Sequence, residues 1–176
     1  LQDHSINYDL TFVCFNNLNW IGNGFTIPSG PLRESFKTIK GHKNIFVTGN
    51  LTNLESIKKE ILKINPQSNI LTAIYVPLNL HEFDKKEKYL VFSGIGNHES
   101  FVSMLKNNGL NIIKDLEFPD HYNYSDQIIY DITSQAKKLN CTILTTEKDF
   151  LRLKGNNSNE IKFIKSELKI NNENDF

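Results

Sequence analysis

Two hydrophobic patterns alternate along the chain. Short runs of apolar and β-branched residues are separated by longer segments in which apolar residues recur every three or four positions. The first pattern is typical of buried strands and the second of amphipathic helices. Because the two patterns alternate, we expect an α/β fold with a mostly parallel sheet and helices on both of its faces, a three-layer α/β/α arrangement. The predicted strands are 9–15, 44–48, 70–76, 89–93, 110–118, 141–144 and 161–164.

The first predicted helices follow a loop rich in glycine and proline. A short helix is expected over residues 32–39. Thr52 and Glu55 form a capping-box pair ahead of the next helix, which ends at Asn65, just before a proline. Its apolar face consists of Leu54, Ile57, Ile61 and Ile64.

Three further helices are predicted from their caps. Asn97 and Ser125 are suitable N-caps, and Thr146 pairs with Asp149 at the start of a short helix through Leu153. The expected buried faces are Phe101, Met104 and Leu105 in the first of these helices, and Ile128, Ile132, Ala136 and Leu139 in the second.

Length and composition indicate one globular domain. The chain has 176 residues, of which 39% are hydrophobic and 23% are charged, and its formal net charge is zero. We expect a single domain over residues 1–170, followed by a frayed tail at 171–176. Because acidic and basic residues balance, no overall positive field favours nucleic acid as a partner.

Features related to location point to a cytosolic protein. Cys14 and Cys141 each lie in an apolar run, so we expect two buried, reduced thiols. No run is long enough to span a membrane, and the polar residues 1–7 do not resemble a signal peptide. The chain does not start with Met, which suggests that it begins inside a longer reading frame.

The usual motifs for nucleotide and metal chemistry are missing from the sequence. It contains no G-x-x-x-x-G-K-[ST] and none of the common hydrolase or zinc motifs. The glycine-rich segment 93–97 follows a predicted strand and opens a helix, so its amides are candidates for binding an anion. A tight strand-to-helix turn is the favoured interpretation, because the segment lacks a third glycine and a lysine.

Four ordered segments together resemble signatures of one family, the tetraacyldisaccharide 4′-kinases, or lipid A 4′-kinases. Each motif is weak alone, but their order and spacing agree over nearly the whole chain. The segments are G-N-G with I-P-S-G-P-L-R-E (22–34), S-G-I-G-N with Phe101 (93–101), F-P-D-H-Y with Tyr124 (118–124), and T-T-E-K-D with Arg152 and Leu153 (145–153).

The resemblance implies a function for the protein. Members of the family use ATP and Mg²⁺ to phosphorylate the 4′-hydroxyl of a tetraacyldisaccharide 1-phosphate, a lipid A precursor. They act as peripheral proteins at the cytoplasmic face of the bacterial inner membrane. The chain would be the C-terminal part of such a P-loop-type kinase, and a separate N-terminal half would be its partner.

The start of the chain bears on its activity. Leu1 and Gln2 resemble the end of a family segment, D-D-G-F-Q, whose paired aspartates bind magnesium and nucleotide, although the family usually has Phe where Leu1 stands. Those aspartates and the P-loop upstream of them would both be missing. The resemblance therefore implies that this chain holds neither the nucleotide-binding nor the metal-binding residues, and that it is inactive alone.

The first signature contributes three candidate site residues. The resemblance suggests that Arg33 binds an anionic group and that Glu34 is a catalytic residue in the substrate cleft, orienting Arg33 or a sugar hydroxyl. Without the resemblance, a surface ion pair is the simpler interpretation. Asn23 is expected to supply a turn with positive φ, and a hydrogen bond from its side chain to substrate is the alternative.

The third and fourth signatures contribute His121 and Lys148. In the family this histidine partners the carboxylate base that deprotonates the 4′-hydroxyl, whereas a simple turn histidine is the alternative. Asp120 is expected to cap the turn, or otherwise to fix the tautomer of His121. Lys148 is a candidate for binding anionic substrate. We expect Glu34 and His121 to lie along one rim of a single cleft.

A non-catalytic role is the alternative function. The chain would then be a remnant, or a split-gene partner that binds the lipid disaccharide without turning it over. One departure from the family pattern fits a copy under relaxed constraint: His98 stands where the family usually has proline at the first helical position.

Overall fold

The computed structural model describes residues 8–49, 53–153 and 160–171. Within these residues the strands are β1 (Phe12–Asn16), β2 (Asn44–Thr48), β3 (Asn69–Pro77), β4 (Lys88–Ser93), β5 (Asn111–Glu117), β6 (Thr142–Thr146), β7 (Ile161–Ile164) and β8 (Ser166–Ile170). The α-helices are α1 (Leu54–Ile64), α2 (His98–Asn107), α3 (Asp126–Leu139) and α4 (Glu147–Phe150). Short 3₁₀ helices span Phe36–Gly41 and Leu80–Glu82.

Parallel strands and helices alternate, which confirms the α/β class. The strands are divided between two four-stranded sheets, in the orders β1-β2-β3-β8 and β5-β4-β6-β7. Local periodicity does not reveal such a division, because it depends on pairing between segments that are distant in sequence. The chain accordingly forms two compact units: unit 1 is the described part of Leu1–Ile74 and Leu168–Phe176, and unit 2 is the described part of Tyr75–Glu167.

Two secondary-structure predictions differ from the structure. The helix expected over 32–39 is instead a 3₁₀ helix at Phe36–Gly41. Strand β8 was not predicted, and 161–164 is therefore not the last strand. The sequence of β8, S-E-L-K-I, has no continuous apolar run, and its side chains are mostly exposed, so the usual signal of a buried strand is missing.

The core of unit 1 lies between one face of its sheet and the helices that follow β1 and β2. Ile45 and Val47 of β2 point into this core. The predicted apolar side of α1 packs against them, and its Ile57 and Ile61 are buried. Thr52, expected to cap α1, lies outside the described residues, and the N-cap is Asn53 without a side-chain hydrogen bond.

Unit 2 has helices on both faces of its sheet. Alternate residues of β4 point in opposite directions: Tyr89 and Val91 belong to the core that includes α2, and Leu90 and Phe92 to the core that includes α3. The three layers expected from the sequence are therefore present in this unit. The predicted caps of α2 and α3 are confirmed, because Asn97 and Ser125 accept hydrogen bonds from the backbone of their helices.

The prediction about the cysteines is partly wrong. Both thiols are free, but Cys14 is exposed and Cys141 is only partly buried. On β1, Val13 and Phe15 pack against the core of unit 1, so the alternation of the strand turns Cys14 to the opposite face. Within the described residues, no helix combines the length and hydrophobicity needed to span a membrane.

Candidate functional site

Three of the four motif segments meet at one edge of the sheet in unit 2. Strands β5, β4 and β6 are parallel neighbours in that order, so their carboxyl ends lie at the same edge. Helices α2 and α3 then leave toward opposite faces of the sheet, which makes this edge a topological switch point. Ligands of open α/β sheets bind at such points, so the edge is a candidate site.

A buried carboxylate connects the loops at this edge. The side chain of Asp149 is fully buried. Its Oδ2 accepts hydrogen bonds from the backbone N–H of Gly94, at 3.0 Å, and from the hydroxyl of Thr146, at 2.8 Å. Thr146 also accepts from the Asp149 N–H and caps α4, as the sequence predicted. Asp149 therefore has a role beyond its predicted pairing with the Thr146 cap. Its carboxylate joins the loop after β4 to the segment after β6.

Gly94 is packed too tightly for any side chain. A Cβ atom at this position would lie 2.9 Å from the Tyr124 hydroxyl and 3.0 Å from the carbonyl oxygen of Pro119. The Tyr124 ring is buried among the aromatic residues of the α3 core. Burial raises the pKa of Tyr124, and the negative charge of Asp149 raises it further. The glycine is thus required for the close approach of the loops after β4 and β5, as expected for a tight turn.

Arg152 contacts all three loops. Its Nη1 donates to the carbonyl oxygen of Gly94 and to Oδ1 of Asp149, both at 3.2 Å. Its Nη2 lies 2.9 Å from Nδ1 of His121, whose ring is 70% exposed. His121 has a φ of 61°, in the left-handed region, and its N–H lies 3.1 Å from the Gly94 carbonyl oxygen. The structure therefore presents the His121 ring at the edge with its Nδ1 side held by Arg152.

Asp120 organises the turn, as the favoured interpretation predicted. Its Oδ1 accepts from the backbone N–H of His121 at 3.0 Å. Its Oδ2 lies 3.8 Å from Nε2 of His121, which is too long for a hydrogen bond. The Nζ atom of Lys148 lies 3.8 Å from Asp120 Oδ1, and both side chains are half exposed. Lys148 thus lies next to Asp120 at this edge, and its role in binding an anionic substrate stays a prediction.

The first signature folds into a loop in unit 1 that its own side chains and glycines organise. Asn23 donates from Nδ2 to the carbonyl oxygen of Ser29 at 2.8 Å and accepts at Oδ1 from the N–H of Phe25 at 3.1 Å. The positive φ angles belong to Gly22 and Gly24, so the prediction of positive φ at Asn23 is wrong. The oxygen and the nitrogen of the Asn23 side-chain amide therefore both bond within the loop. The glycines on either side of Asn23 provide the positive φ angles.

Arg33 and Glu34 follow this loop and are both exposed. They line a cavity of about 560 Å³ within unit 1, together with residues of β1 and of the 3₁₀ helix. Ser35 comes next and caps that helix. Arg33 and Glu34 thus lie between an ordered loop and the start of the 3₁₀ helix. They form part of the wall of a cavity that is large enough for a small polar group.

The structure brings some of the predicted site residues together, but the expected common rim of Glu34 and His121 stays a prediction. His121, Asp120 and Lys148 are neighbours in unit 2, and Arg33 and Glu34 share a cavity in unit 1. The placement of Glu34 and His121 on one rim concerns two different units and stays a prediction. Sequence reasoning missed the linking role of Arg152, although this arginine belongs to the fourth motif.

The residues that the structure describes do not fit a site for nucleotide and magnesium. Among the described residues, no group of three or more His, Cys, Asp or Glu side chains is arranged to hold a metal ion. The sequence also lacks a P-loop motif, whose backbone amides and lysine would bind phosphates. We therefore assign no step involving ATP or Mg²⁺ to these residues.

Comparison with known proteins agrees with the motifs. The family model for tetraacyldisaccharide-1-P 4′-kinase (LpxK) matches residues 1–176. A tetraacyldisaccharide 4′-kinase of Pelagibacter ubique is 58% identical over 173 residues, which cover 98% of this chain and 55% of the relative. One of Rickettsia canadensis is 40% identical over 178 residues, which cover 99% of this chain and 52% of the relative. The chain thus spans about half the length of the curated relatives it matches.

A solved structure supports the fold. The crystal structure of LpxK from Aquifex aeolicus, described as an "apo" form in complex with ATP, matches 96% of this chain and 50% of its own length. The TM-score is 0.55 and the sequence identity is 22%. The match of the family model over all 176 residues carries the assignment: the chain belongs to the tetraacyldisaccharide-1-P 4′-kinase family.

Proposed function

We propose that residues 1–170 act as the C-terminal α/β part of an ATP-dependent kinase that phosphorylates the 4′-hydroxyl of a tetraacyldisaccharide 1-phosphate. The observation that carries the proposal is that three family motifs meet at one sheet edge, where Asp149 bonds to Gly94 and Thr146 and Arg152 joins Asp149 to His121. That convergence presents His121 at the sheet edge where α/β proteins bind ligands. A family match over all 176 residues supports the choice of substrate.

In this proposal, His121 acts with a carboxylate base that this chain does not supply. A histidine beside such a base orients it and tunes its ability to take the proton of a hydroxyl. The exposure of the His121 ring leaves Nε2 accessible from outside the chain. Lys148, half exposed next to the same turn, would attract a negatively charged substrate group.

In unit 1, Arg33 and Glu34 are further proposed functional residues. The planar guanidinium of Arg33 is suited to a phosphate, because it can donate two parallel hydrogen bonds. Glu34, adjacent on the wall of the same cavity, would act in catalysis by orienting Arg33 or a sugar hydroxyl. Asn23 would contribute by holding the loop before them, in addition to any direct contact with the sugar.

We further propose that the nucleotide and Mg²⁺ are bound by a separate N-terminal half. Positioned donors and metal ions around the phosphates provide most of the catalysis of phosphoryl transfer. The 176 residues contain no P-loop motif, so the chain alone is expected to lack kinase activity. The lipid substrate implies that the assembled kinase works at the cytoplasmic face of the inner membrane as a peripheral protein.

A reconstitution assay tests the proposal. Transfer of labelled γ-phosphate from ATP to the disaccharide is measured with this chain, with the part of the Pelagibacter ubique relative that it does not match, and with both. We expect activity only from the pair. His121→Ala should lower kcat of the pair by about 10²–10⁴-fold, the usual range for a residue in proton transfer.

The matched control is His81→Ala, which removes an exposed histidine of unit 2 outside the site and should leave kcat unchanged. Kinase activity from the chain alone would contradict the proposal. The alternative role, binding without catalysis, is favoured by the missing P-loop motif. It predicts that the chain binds the disaccharide and that adding the other part produces no turnover.

A further inference from the structure

We propose that Arg152 is a positioning residue that fixes the tautomer of His121, so that Nδ1 is a hydrogen-bond acceptor and Nε2 carries the proton. The contact that points to this role joins Arg152 Nη2 and His121 Nδ1 at 2.9 Å. The catalytic consequence rests on the proposed function of His121, but the tautomer itself does not.

The direction of this hydrogen bond follows from the chemistry of the two groups. A guanidinium has five N–H donors and no acceptor, and it stays charged at any pH at which proteins are folded. Nδ1 of His121 must therefore offer its lone pair to Arg152. In a neutral imidazole only one nitrogen bears a proton, so the proton is on Nε2.

The position of the Arg152 guanidinium is itself fixed by hydrogen bonds to Gly94 and to the buried Asp149. Its side chain is 20% exposed, and its Nη1 is held by the carbonyl oxygen of Gly94 and by the fully buried carboxylate of Asp149. Because the guanidinium is planar, two bonds at Nη1 determine the direction in which Nη2 points. The donor that meets His121 is thus set before any ligand binds.

The backbone of His121 depends on the same anchor. Its N–H lies 3.1 Å from the Gly94 carbonyl oxygen, the atom that also accepts from Arg152. The left-handed φ of 61°, which residues with a side chain rarely adopt, gives the ring its direction. A single carbonyl group therefore aligns the arginine and the histidine with each other.

The other charged neighbours of the ring do not determine its tautomer. Asp120 Oδ2 lies 3.8 Å from Nε2, beyond hydrogen-bond distance, and Lys148 is paired with the other oxygen of Asp120 at 3.8 Å. Nε2–H is thus available as a donor on the exposed side of the ring. In the proposed kinase, this is the proton that would be offered to the carboxylate base, while Nδ1 is kept from acting as a base.

Nitrogen NMR of the imidazole tests the tautomer. The 176-residue chain is labelled with ¹⁵N-histidine, and long-range ¹H–¹⁵N spectra are recorded at neutral pH, with His121→Ala identifying the signals. We expect Nδ1 of His121 at the shift of an unprotonated nitrogen and Nε2 at that of a protonated one. In Arg152→Ala both shifts should move toward the averaged values of an imidazole that exchanges between tautomers.

A second variant guards against loss of folding. Arg152→Lys retains a cation near Asp149, but an ammonium lacks the fork needed to bond Asp149 and His121 together. Its far-UV circular dichroism should match the wild type while the His121 shifts move as in Arg152→Ala. A protonated Nδ1 in the wild type, or unchanged shifts in a folded Arg152→Lys, would overturn the proposal.

Kinetics of the reconstituted pair test the consequence. Arg152→Lys should lower kcat about 10–100-fold, as is usual when the partner that orients a functional histidine is lost, and leave KM unchanged. In a His121→Ala background the same substitution should cause no further loss, because Arg152 acts through His121. Equal losses in both backgrounds would show that Arg152 acts by another route. If the pair lacks activity, the proposed function fails while the NMR result still stands.

Discussion

The motif loop of unit 1 and the motif cluster of unit 2 are held in different ways. The loop around Asn23 and Gly30 is exposed and is held by backbone hydrogen bonds, one amide side chain and two glycines with positive φ. The cluster around Asp149 is held by a fully buried carboxylate and Arg152. In both, the residues available to a ligand are exposed and polar or charged, and most neighbouring motif residues hold them in place. A family motif therefore contains more structural residues than functional ones.

The two regions can be followed separately. The single tryptophan of the sequence, Trp20, lies in unit 1, where it packs against Phe15 and Phe36 and donates to Glu60. Its fluorescence reports on the unfolding of unit 1. Hydrogen exchange of the amides of β4, in the middle of the other sheet, reports on unit 2.

Asp149→Ala should have the largest effect on stability. Its loss leaves the Gly94 N–H, the Thr146 hydroxyl and Arg152 without their common partner. We expect unit 2 to lose about 3 kcal/mol, the usual cost of removing one member of a buried charged pair. Hydrogen exchange of β4 should accelerate accordingly, with a smaller change in the Trp20 transition. A loss below about 1 kcal/mol would mean that the carboxylate does not hold the cluster.

Gly30→Ala makes the corresponding change in the loop of unit 1. An added Cβ would clash with Asn23 Oδ1 and with the carbonyl oxygen of Phe25. We expect a loss of about 1–3 kcal/mol from overpacking, seen in the Trp20 transition. Gly41→Ala is the control, since no atom lies within 4 Å of its added Cβ and its φ is not positive. Equal effects of the two substitutions would contradict the described packing.

His98→Pro restores the residue that the family usually has and should still be destabilising. His98 Nδ1 is 2.6 Å from the hydroxyl of Ser93, and both side chains are buried. Proline at the first position of α2 reduces the entropy of the unfolded chain by about 0.4–1 kcal/mol, but the buried hydroxyl loses its partner at a cost of about 1–3 kcal/mol.

The expected net loss is therefore about 1 kcal/mol in urea unfolding. Adding Ser93→Ala to His98→Pro should recover most of it, because no polar group is then left unsatisfied. Failure of the double variant to recover would show that the packing of the His98 ring, rather than its hydrogen bond, is what matters.

The last prediction concerns alkaline pH and Tyr89 in the core of unit 2. Burial, together with the nearby carboxylates of Glu87 and Asp84, raises the pKa of Tyr89 to about 12. Because its unfolded value is about 10, the stability of unit 2 should be constant below pH 10 and fall as pH rises from 10 to 12. Urea unfolding at increasing pH measures this dependence.

Tyr89→Phe should reduce the loss of unit 2 stability at alkaline pH. It should also cost about 1 kcal/mol at neutral pH, since the hydrogen bond from the hydroxyl to the Asp84 carbonyl oxygen, at 2.7 Å, is lost. Tyr130→Phe, at a side chain that is 63% exposed, is the control and should change neither value. An alkaline decline that is as steep in Tyr89→Phe as in the wild type would assign it to another group.

The sequence predicted what depends on local order along the chain. The apolar face of α1 and the caps at Asn97, Ser125 and Thr146 agree with the structure, because each involves residues within a few positions of one another. The division into two sheets and the exposure of Cys14 depend on which strands become neighbours. Local periodicity contains little information about such long-range pairing.

The candidate site follows the same rule. His121 and Lys148 were proposed from their motifs, and their roles stay predictions, whereas the Asp120 turn followed from local turn chemistry. The contact between Arg152 and His121 joins residues 31 positions apart, on loops after β6 and β5. It exists only because β4 lies between those strands and offers the Gly94 carbonyl oxygen to both loops. No pattern in the sequence indicated that arrangement.

The central proposal is that the His121 edge of unit 2 binds the disaccharide. Hydrogen exchange of the reconstituted pair measures this directly, as the tetraacyldisaccharide 1-phosphate is titrated in detergent micelles against micelles alone. We predict that the segment 118–122 gains protection as the disaccharide concentration rises. Exchange of this segment at saturating disaccharide that equals its exchange in empty micelles would contradict the account.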